Sequence, residues 1–247
     1  MEDRRTVFRE YIRFPFKVKV STSSLGVGIL FNLKMEFKES KMVNKKEELG
    51  MDCKTIWMGI DPGSSNAAMC QLNDDFCECY TVPTKTVVVN KKNKTTIDIE
   101  ALVILLQQVI QLNTIVLIED VHSMPNQGIS SAFSFGRGLG ILEGVISCFT
   151  IGSPHYISPA KWKKSYSSLV TKEMKSLKAE IKEAKGKEKA RLKYQYKKQA
   201  KQSSIDLGNK LFRDRYPDTN CIGNFFDKGE HDMAEAFLMA LYCKDNL

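Results

Sequence analysis

Ile56-Trp57-Met58-Gly59-Ile60-Asp61-Pro62-Gly63-Ser64-Ser65-Asn66 is the stretch on which the reading of this chain turns. An apolar run ends in an aspartate, and a Pro-Gly turn follows at once. A buried strand of this kind delivers one carboxylate to the end of a sheet. The tight turn lets a ligand or backbone approach it closely. Taken alone, the same pattern also describes a helix N-cap or a turn former, so its meaning depends on the acids elsewhere.

Two further acidic sites follow. In Ile115-Val116-Leu117-Ile118-Glu119-Asp120-Val121-His122, an apolar run rich in β-branched residues again ends in acid. Near the C-terminus, Gly229-Glu230-His231-Asp232-Met233-Ala234-Glu235-Ala236 places Asp232 and Glu235 three apart, on one face of a helix. Ala236, Met239 and Ala240 behind them would pack that helix on a sheet. Two strand-end acids plus an i, i+3 pair can build a two-Mg²⁺ site, because Mg²⁺ takes hard oxygen ligands. Two such ions about 4 Å apart stabilise the attacking and leaving oxygens of phosphodiester cleavage. Each site alone has a plainer reading, the third as a helix N-terminus complementing its own dipole. The conjunction favours the metal site, since each acid abuts a run that should be buried.

At 247 residues with 43% hydrophobic content, the chain can hold one good-sized domain plus an extension or insertion. No apolar run is long enough for a transmembrane helix, so no membrane role is expected. No secretory signal opens the chain, and Glu2, Asp3 and Glu10 argue against a transit peptide. Seven cysteines without a C-x-x-C pair point to free thiols in a reducing, cytoplasmic setting, with a zinc site not expected. Cys77 and Cys79 are expected on opposite faces of a strand.

The net charge of +8 is unevenly placed. Residues 161–203 hold 15 Lys/Arg against 4 Asp/Glu, and residues 1–50 hold 11 against 7, which leaves the remainder acidic. An acidic core that binds cations and a basic arm that binds phosphates suit a metal-dependent nuclease. The plainer alternative for the arm is a solvated, lysine-biased helix.

Along the chain, residues 1–50 read as an extension. Alternation around Phe16, Val18 and Val20 and from Ile29 to Phe37 suggests a β-hairpin, followed by a polar linker. Strands are expected at 55–61, 66–73 and 77–82 as an antiparallel meander, with a short extended piece at 87–89. A helix over 97–112 then leads to a strand at 114–119 that pairs in parallel with the meander. A second helix, 130–148, contains Gly136, Gly138, Gly140 and Gly144, expected to permit close packing on the sheet or a partner. A fifth strand follows at 154–158. The basic stretch reads as a long helix or helical hairpin, with Gly186 as the break. Helices at 205–212 and 230–243 close the chain. The fold class is α/β: a ribonuclease H-like mixed sheet, three antiparallel strands then parallel ones, flanked by helices. Its organisation is an extension (1–50), a first core part (51–165), a basic helical insertion (166–203) and the C-terminal core helices (204–247).

The motifs carry a resemblance. Gly59-Ile60-Asp61-Pro62-Gly63-Ser64 resembles the opening of RuvC-type Holliday junction resolvases. Ile118-Glu119-Asp120-Val121 with Ser131-Ala132-Phe133-Ser134-Phe135-Gly136-Arg137-Gly138 is similar to their second acidic strand and following helix, closest to the bacteriophage RuvC-like members. Asp232-Met233-Ala234-Glu235-Ala236 is similar to their C-terminal acid pair. The resemblance spans 55–165 and 200–243 and implies roles. Asp61 would bridge two Mg²⁺ ions, with Mn²⁺ as a substitute, and Glu119, Asp232 and Glu235 would complete the shells. Lys163, Lys201, His122 and Ser64 would contact DNA, with His122 standing where bacterial members carry an aromatic wedge. Glu235 stands where the family usually has aspartate, and the extension and the insertion fall outside its pattern. His231, next to Asp232, reads as a surface residue, with positioning of a water as the alternative. The implied activity is symmetric nicking of four-way junctions by a homodimer, in recombination, repair or phage DNA processing. Two alternatives are a broader nuclease of branched DNA or RNA–DNA hybrids, and a catalytically silent junction-binding module. An actin-like ATPase also opens with an acid-Gly turn, but needs a second phosphate loop and domain for which 247 residues leave little room.

Overall fold

A computed structural model describes residues 54–63, 66–89, 91–122, 128–150, 152–217 and 225–247. The expectations for the 1–50 extension and for Ser64 lie outside the described residues. Cys53–Leu247 form one compact unit by themselves.

The chain opens with β1 (Ile56–Asp61), β2 (Ala68–Leu72) and β3 (Cys77–Thr81). They form the expected meander, with Gly59 opposite Cys70 and Cys70 opposite Cys79. Helix α1 (Ile99–Val109) leads to β6 (Thr114–Glu119), which pairs in parallel with β1 and in turn with β7 (His155–Ile157). The sheet order is β3-β2-β1-β6-β7. This mixed sheet has the order expected of a ribonuclease H-like α/β fold. Helix α1 is shorter than expected. Asp98 caps its start by accepting from the Ala101 N–H, and Ile110 leaves the helix in an extended conformation.

A separate hairpin was only half legible. β4 (Thr84–Val89) pairs with β5 (Lys92–Ile97) through a two-residue connection, with Lys91 at φ 61°. The partner strand is solvated along most of its length, so its sequence shows no apolar alternation.

The two faces of the main sheet follow the two-residue period of its strands. Met58, Ile60, Met69, Val116 and Ile118 pack against Leu102, Leu106 and Val109 of α1 and Leu142 and Ile146 of α2 (Ile129–Ser147). The other face carries Gly59, Asp61, Leu117, Glu119, Ala68 and Cys70. It lies under α6 (His231–Asn246), whose Ala236, Met239 and Ala240 are fully buried. Three expectations change here. The α2 glycines do not serve close packing on the sheet: a Cβ at Gly136, Gly140 or Gly144 would meet nothing within 4 Å, and one at Gly138 only Ile97 Cδ1 at 3.8 Å. Cys77 and Cys79 do not point to opposite faces. Residues two apart on a strand share a face, and both lie against the α6-side core.

The third change concerns the basic stretch. Helix α3 (Pro159–Ser165) and a 3₁₀ turn at Ser167–Leu169 precede α4 (Lys172–Glu183) and α5 (Gly186–Arg215). Gly186, at φ 54°, lies at the junction, so the helical-hairpin reading holds. Residues 205–212 are not a separate helix; they are the inner end of the 30-residue α5. Met174, Leu192 and Ser203 are buried along the hairpin, and Ile205, Leu207 and Phe212 continue into the core. The hairpin thus grows out of the fold as a continuation of a core helix. Among the described residues, no helix is long and apolar enough to cross a membrane.

Candidate active site

The four acids singled out in sequence, Asp61, Glu119, Asp232 and Glu235, meet at the C-terminal ends of the two parallel strands. Asp61 ends β1 and Glu119 ends β6, on the α6 side of the sheet. Gly59 lets α6 lie directly on β1, which carries Asp232 and Glu235 on the first turn and a half of that helix towards the same end. Asp61 reflects the crowding. Burial pushes its carboxyl well up, and the negative charges of Glu235, Glu119 and Asp232 push it further; Lys163 opposes them.

Each other acid has its own donors. Glu119 is buried, with Oε1 accepting from Trp162 Nε1 at 2.8 Å. Burial raises its pKa, the Trp162 bond and the Lys163 charge lower it, and Glu235 raises it again. Glu235 Oε2 accepts from Lys163 Nζ at 2.8 Å and Oε1 accepts from Ser204 Oγ at 2.8 Å. Asp232 Oδ1 lies 2.9 Å from His231 Nε2. Burial raises the Asp232 pKa, the His231 and Lys201 charges lower it, and Glu235 raises it. Burial alone would depress Lys163, but the charge and hydrogen bond of Glu235, with Glu119 and Asp61 behind, leave its pKa raised.

Asp61, Glu119, Asp232, Glu235 and Lys163 therefore form one electrostatic unit, and exposed Lys201 on α5 borders it. His122 does not join. Its side chain is 81% exposed and lies 3.6 Å from Asp120, outside the acid group. His231 is not the open surface residue expected, since its half-buried ring is held between the Gly229 carbonyl and Asp232. Two residues went unnoticed in sequence. Trp162 is fully buried beneath the site, and Lys163 Nζ sits 4.9 Å from its ring centroid. Ser204 reaches Glu235 from α5. The one available signal was the Trp162-Lys163 pair just after the Ser158-Pro159 helix start.

The donor set fits a hard divalent cation: carboxylate oxygens around an aspartate whose ionisation is opposed, offset among the described residues by Lys163 in contact and Lys201 nearby. The acids are spread rather than clenched. Among the described residues, the group of metal-capable side chains drawn within 4.8 Å of one another is Cys70, Cys77 and Cys79, and none of the four acids belongs to it.

Replacing Trp162 by Phe keeps an aromatic ring, removes the donor and leaves a small cavity. The outcome expected is a stability loss of about 1–3 kcal/mol in denaturant titration, from a buried carboxylate oxygen left without its partner. The Glu119 pKa should rise further, visible by carboxyl-resolved NMR.

No protein-family model matches the chain, and no curated protein does. Among solved structures, T. thermophilus RuvC in complex with a Holliday junction substrate is similar. The identity is 12%, the match covers 78% of this chain and 97% of that chain, and the TM-score is 0.40.

Proposed function

We propose that this chain is a divalent-metal-dependent endonuclease of branched DNA that resolves four-way junctions by paired symmetric nicks. The observation that carries the reading is the gathering of Asp61, Glu119, Asp232 and Glu235 from two strands and a helix at one sheet end, with their repulsion focused on Asp61. Such a group costs stability unless a cation or proton compensates it. Its hard oxygens suit Mg²⁺, with Mn²⁺ as a substitute. Bound there, the metal supplies an activated water and stabilises charge on the leaving oxygen of a phosphodiester. The residues themselves do the rest. Asp61 sits centrally among the acids. Trp162 orients Glu119. Lys163 and Ser204 fix both oxygens of Glu235, and Lys201 lies beside Asp232 where a phosphate would approach.

The basic hairpin supplies the sequence-independent grip on the backbone. Deleting it is a poor test, because Met174, Leu192 and Ser203 are buried within it. Replacing exposed Lys193, Lys197 and Lys198 on α5 by Gln avoids the core. Junction affinity should then fall, and its log–log salt slope should flatten by up to about 3. An unchanged slope assigns the hairpin to a protein contact instead.

Two copies are needed to cut opposed strands together. Helix α2 offers a surface for this: Ile129 and Phe133, one helical turn apart, are 90% and 71% exposed, and a Cβ at Gly136, Gly140 or Gly144 would meet open space. Sedimentation of wild type and Phe133→Lys checks the dimer. The functional test is cleavage of a labelled four-way junction beside linear duplex, flap and RNA–DNA hybrid, with Mg²⁺, Mn²⁺ or EDTA. Paired nicks on the junction alone support the proposal. Equal cutting of flaps or hybrids moves it to a broader nuclease, and tight binding without cutting to a recognition module.

A further inference from the structure

Three thiols converge on the opposite flank of the α6 face. Cys70 on β2 is fully buried, and Cys77 and Cys79 on β3 are half-buried. Cys70 Sγ lies 3.6 Å from Cys77 Sγ, and all three sulfurs lie within 4.8 Å of one another. A tetrahedral metal with M–S bonds of about 2.3 Å separates its sulfurs by about 3.8 Å, and a trigonal one by about 4.0 Å. The sulfur triangle therefore has the dimensions of a metal-thiolate face before any ion is added.

The geometry is set by the hairpin rather than by the sulfurs. Asn73 Oδ1 accepts from the N–H groups of Asp75 and Phe76, which fixes the β2–β3 turn. Tyr216 Oη donates to the Asn73 carbonyl at 2.7 Å and anchors that turn to the end of α5. The resulting register puts Cys79 opposite Cys70 and Cys77 opposite Leu72, so three thiols land on one face from the spacing C-x₆-C-x-C. β3 is an edge strand of the five-stranded sheet, which leaves a route for an ion to reach the half-buried pair.

We propose that Cys70, Cys77 and Cys79 bind one thiophilic d¹⁰ cation, Zn²⁺ or Cu⁺, as a structural site clamping β3 to β2. The site is chemically separate from the hard carboxylate group: thiolates select soft metals and carboxylates select Mg²⁺ or Mn²⁺. It stands whether or not the nuclease reading does.

The test uses the full chain, reduced and anaerobic. Co²⁺ titration should produce a thiolate-to-cobalt charge-transfer band saturating at one ion per chain, bleached by added Zn²⁺. Competition with a Cu⁺-specific chelator separates the two native candidates. Cys77→Ser and Cys79→Ser should lose the band and weaken Zn²⁺ binding by about 100-fold or more. Asp61→Asn should keep both. Zn²⁺ or Cu⁺ should raise the melting temperature of wild type but not of Cys79→Ser, and circular dichroism confirms that each variant is folded; if one is not, Cys79→Ala replaces it. No band from folded wild type, or a band surviving Cys79→Ser, overturns the site. So does a Cys70–Cys77 disulfide found by mass spectrometry in a protein that takes up no metal after reduction.

Discussion

Asp61→Asn is expected to abolish cleavage while making the metal-free protein harder to unfold. Loss of the central ligand should remove several kcal/mol of transition-state stabilisation, about 10³-fold or more in rate. The gain in stability has a separate cause. Asp61 sits in a half-buried site where the charges of Glu235, Glu119 and Asp232 outweigh Lys163. A neutral, nearly isosteric amide removes that repulsion, worth on the order of 1–2 kcal/mol, or ~2–4 °C per kcal/mol for a chain of this size. The pH dependence follows in sign. The folded carboxyl holds its proton at pH values where the unfolded chain has released it. Stability in EDTA therefore falls as pH rises from the ordinary carboxylate range through the raised folded value. Glu119 and Asp232 act in the same direction. Melting curves against pH should show a shallower fall for Asp61→Asn. Mg²⁺ should stabilise wild type and leave the variant almost unmoved. A variant that cuts like wild type sinks the proposed mechanism. One that melts lower shows that Asp61 is held by favourable contacts instead.

Gly59→Ala should be the most damaging Gly→Ala change among the described residues. Its Cβ would lie 2.3 Å from the Ala236 carbonyl oxygen and 2.3 Å from the Ala240 nitrogen, with the Met239 carbonyl carbon at 2.8 Å. These are backbone atoms of α6, so no side chain can rotate away. The helix itself must lift from the sheet, and its core contacts with β1 and β2 loosen together. A loss of at least ~3 kcal/mol is expected by chemical denaturation, at the upper end of overpacking costs. Because α6 carries Asp232 and Glu235, the same shift should separate them from Asp61 and weaken Mg²⁺ binding in whatever fraction stays folded. An Ala variant with an unchanged denaturation midpoint would mean that α6 does not lie so close to β1.

Part of the site is legible in sequence. Apolar runs ending in Asp61 and Glu119 announce two strands and their polar ends, because burial and chain direction are local properties. The i, i+3 spacing of Asp232 and Glu235 likewise needs only helix geometry. Legibility failed where the partner lies far along the chain or where solvation hides the pattern. β5 reads as polar because water covers it. Trp162 and Ser204 look like ordinary helix residues until the fold sets them against Glu119 and Glu235. The α2 glycines invited an explanation by packing on the sheet that the space around Gly136, Gly140 and Gly144 does not support.

The amino-acid sequence by itself determined the order of the five main-sheet strands, the strand-end and helix positions of the four acids, and the concentration of positive charge in 161–203, since all depend on periodicity, turn chemistry and charge along the chain. Tertiary structure alone decided which donors hold each acid, that His122 stands apart while His231 does not, and that the basic arm continues a core helix. It also decided that Cys70 meets Cys77 and Cys79, because a cross-strand contact depends on hairpin register, which a turn and its anchoring Tyr216 set from 143 residues away.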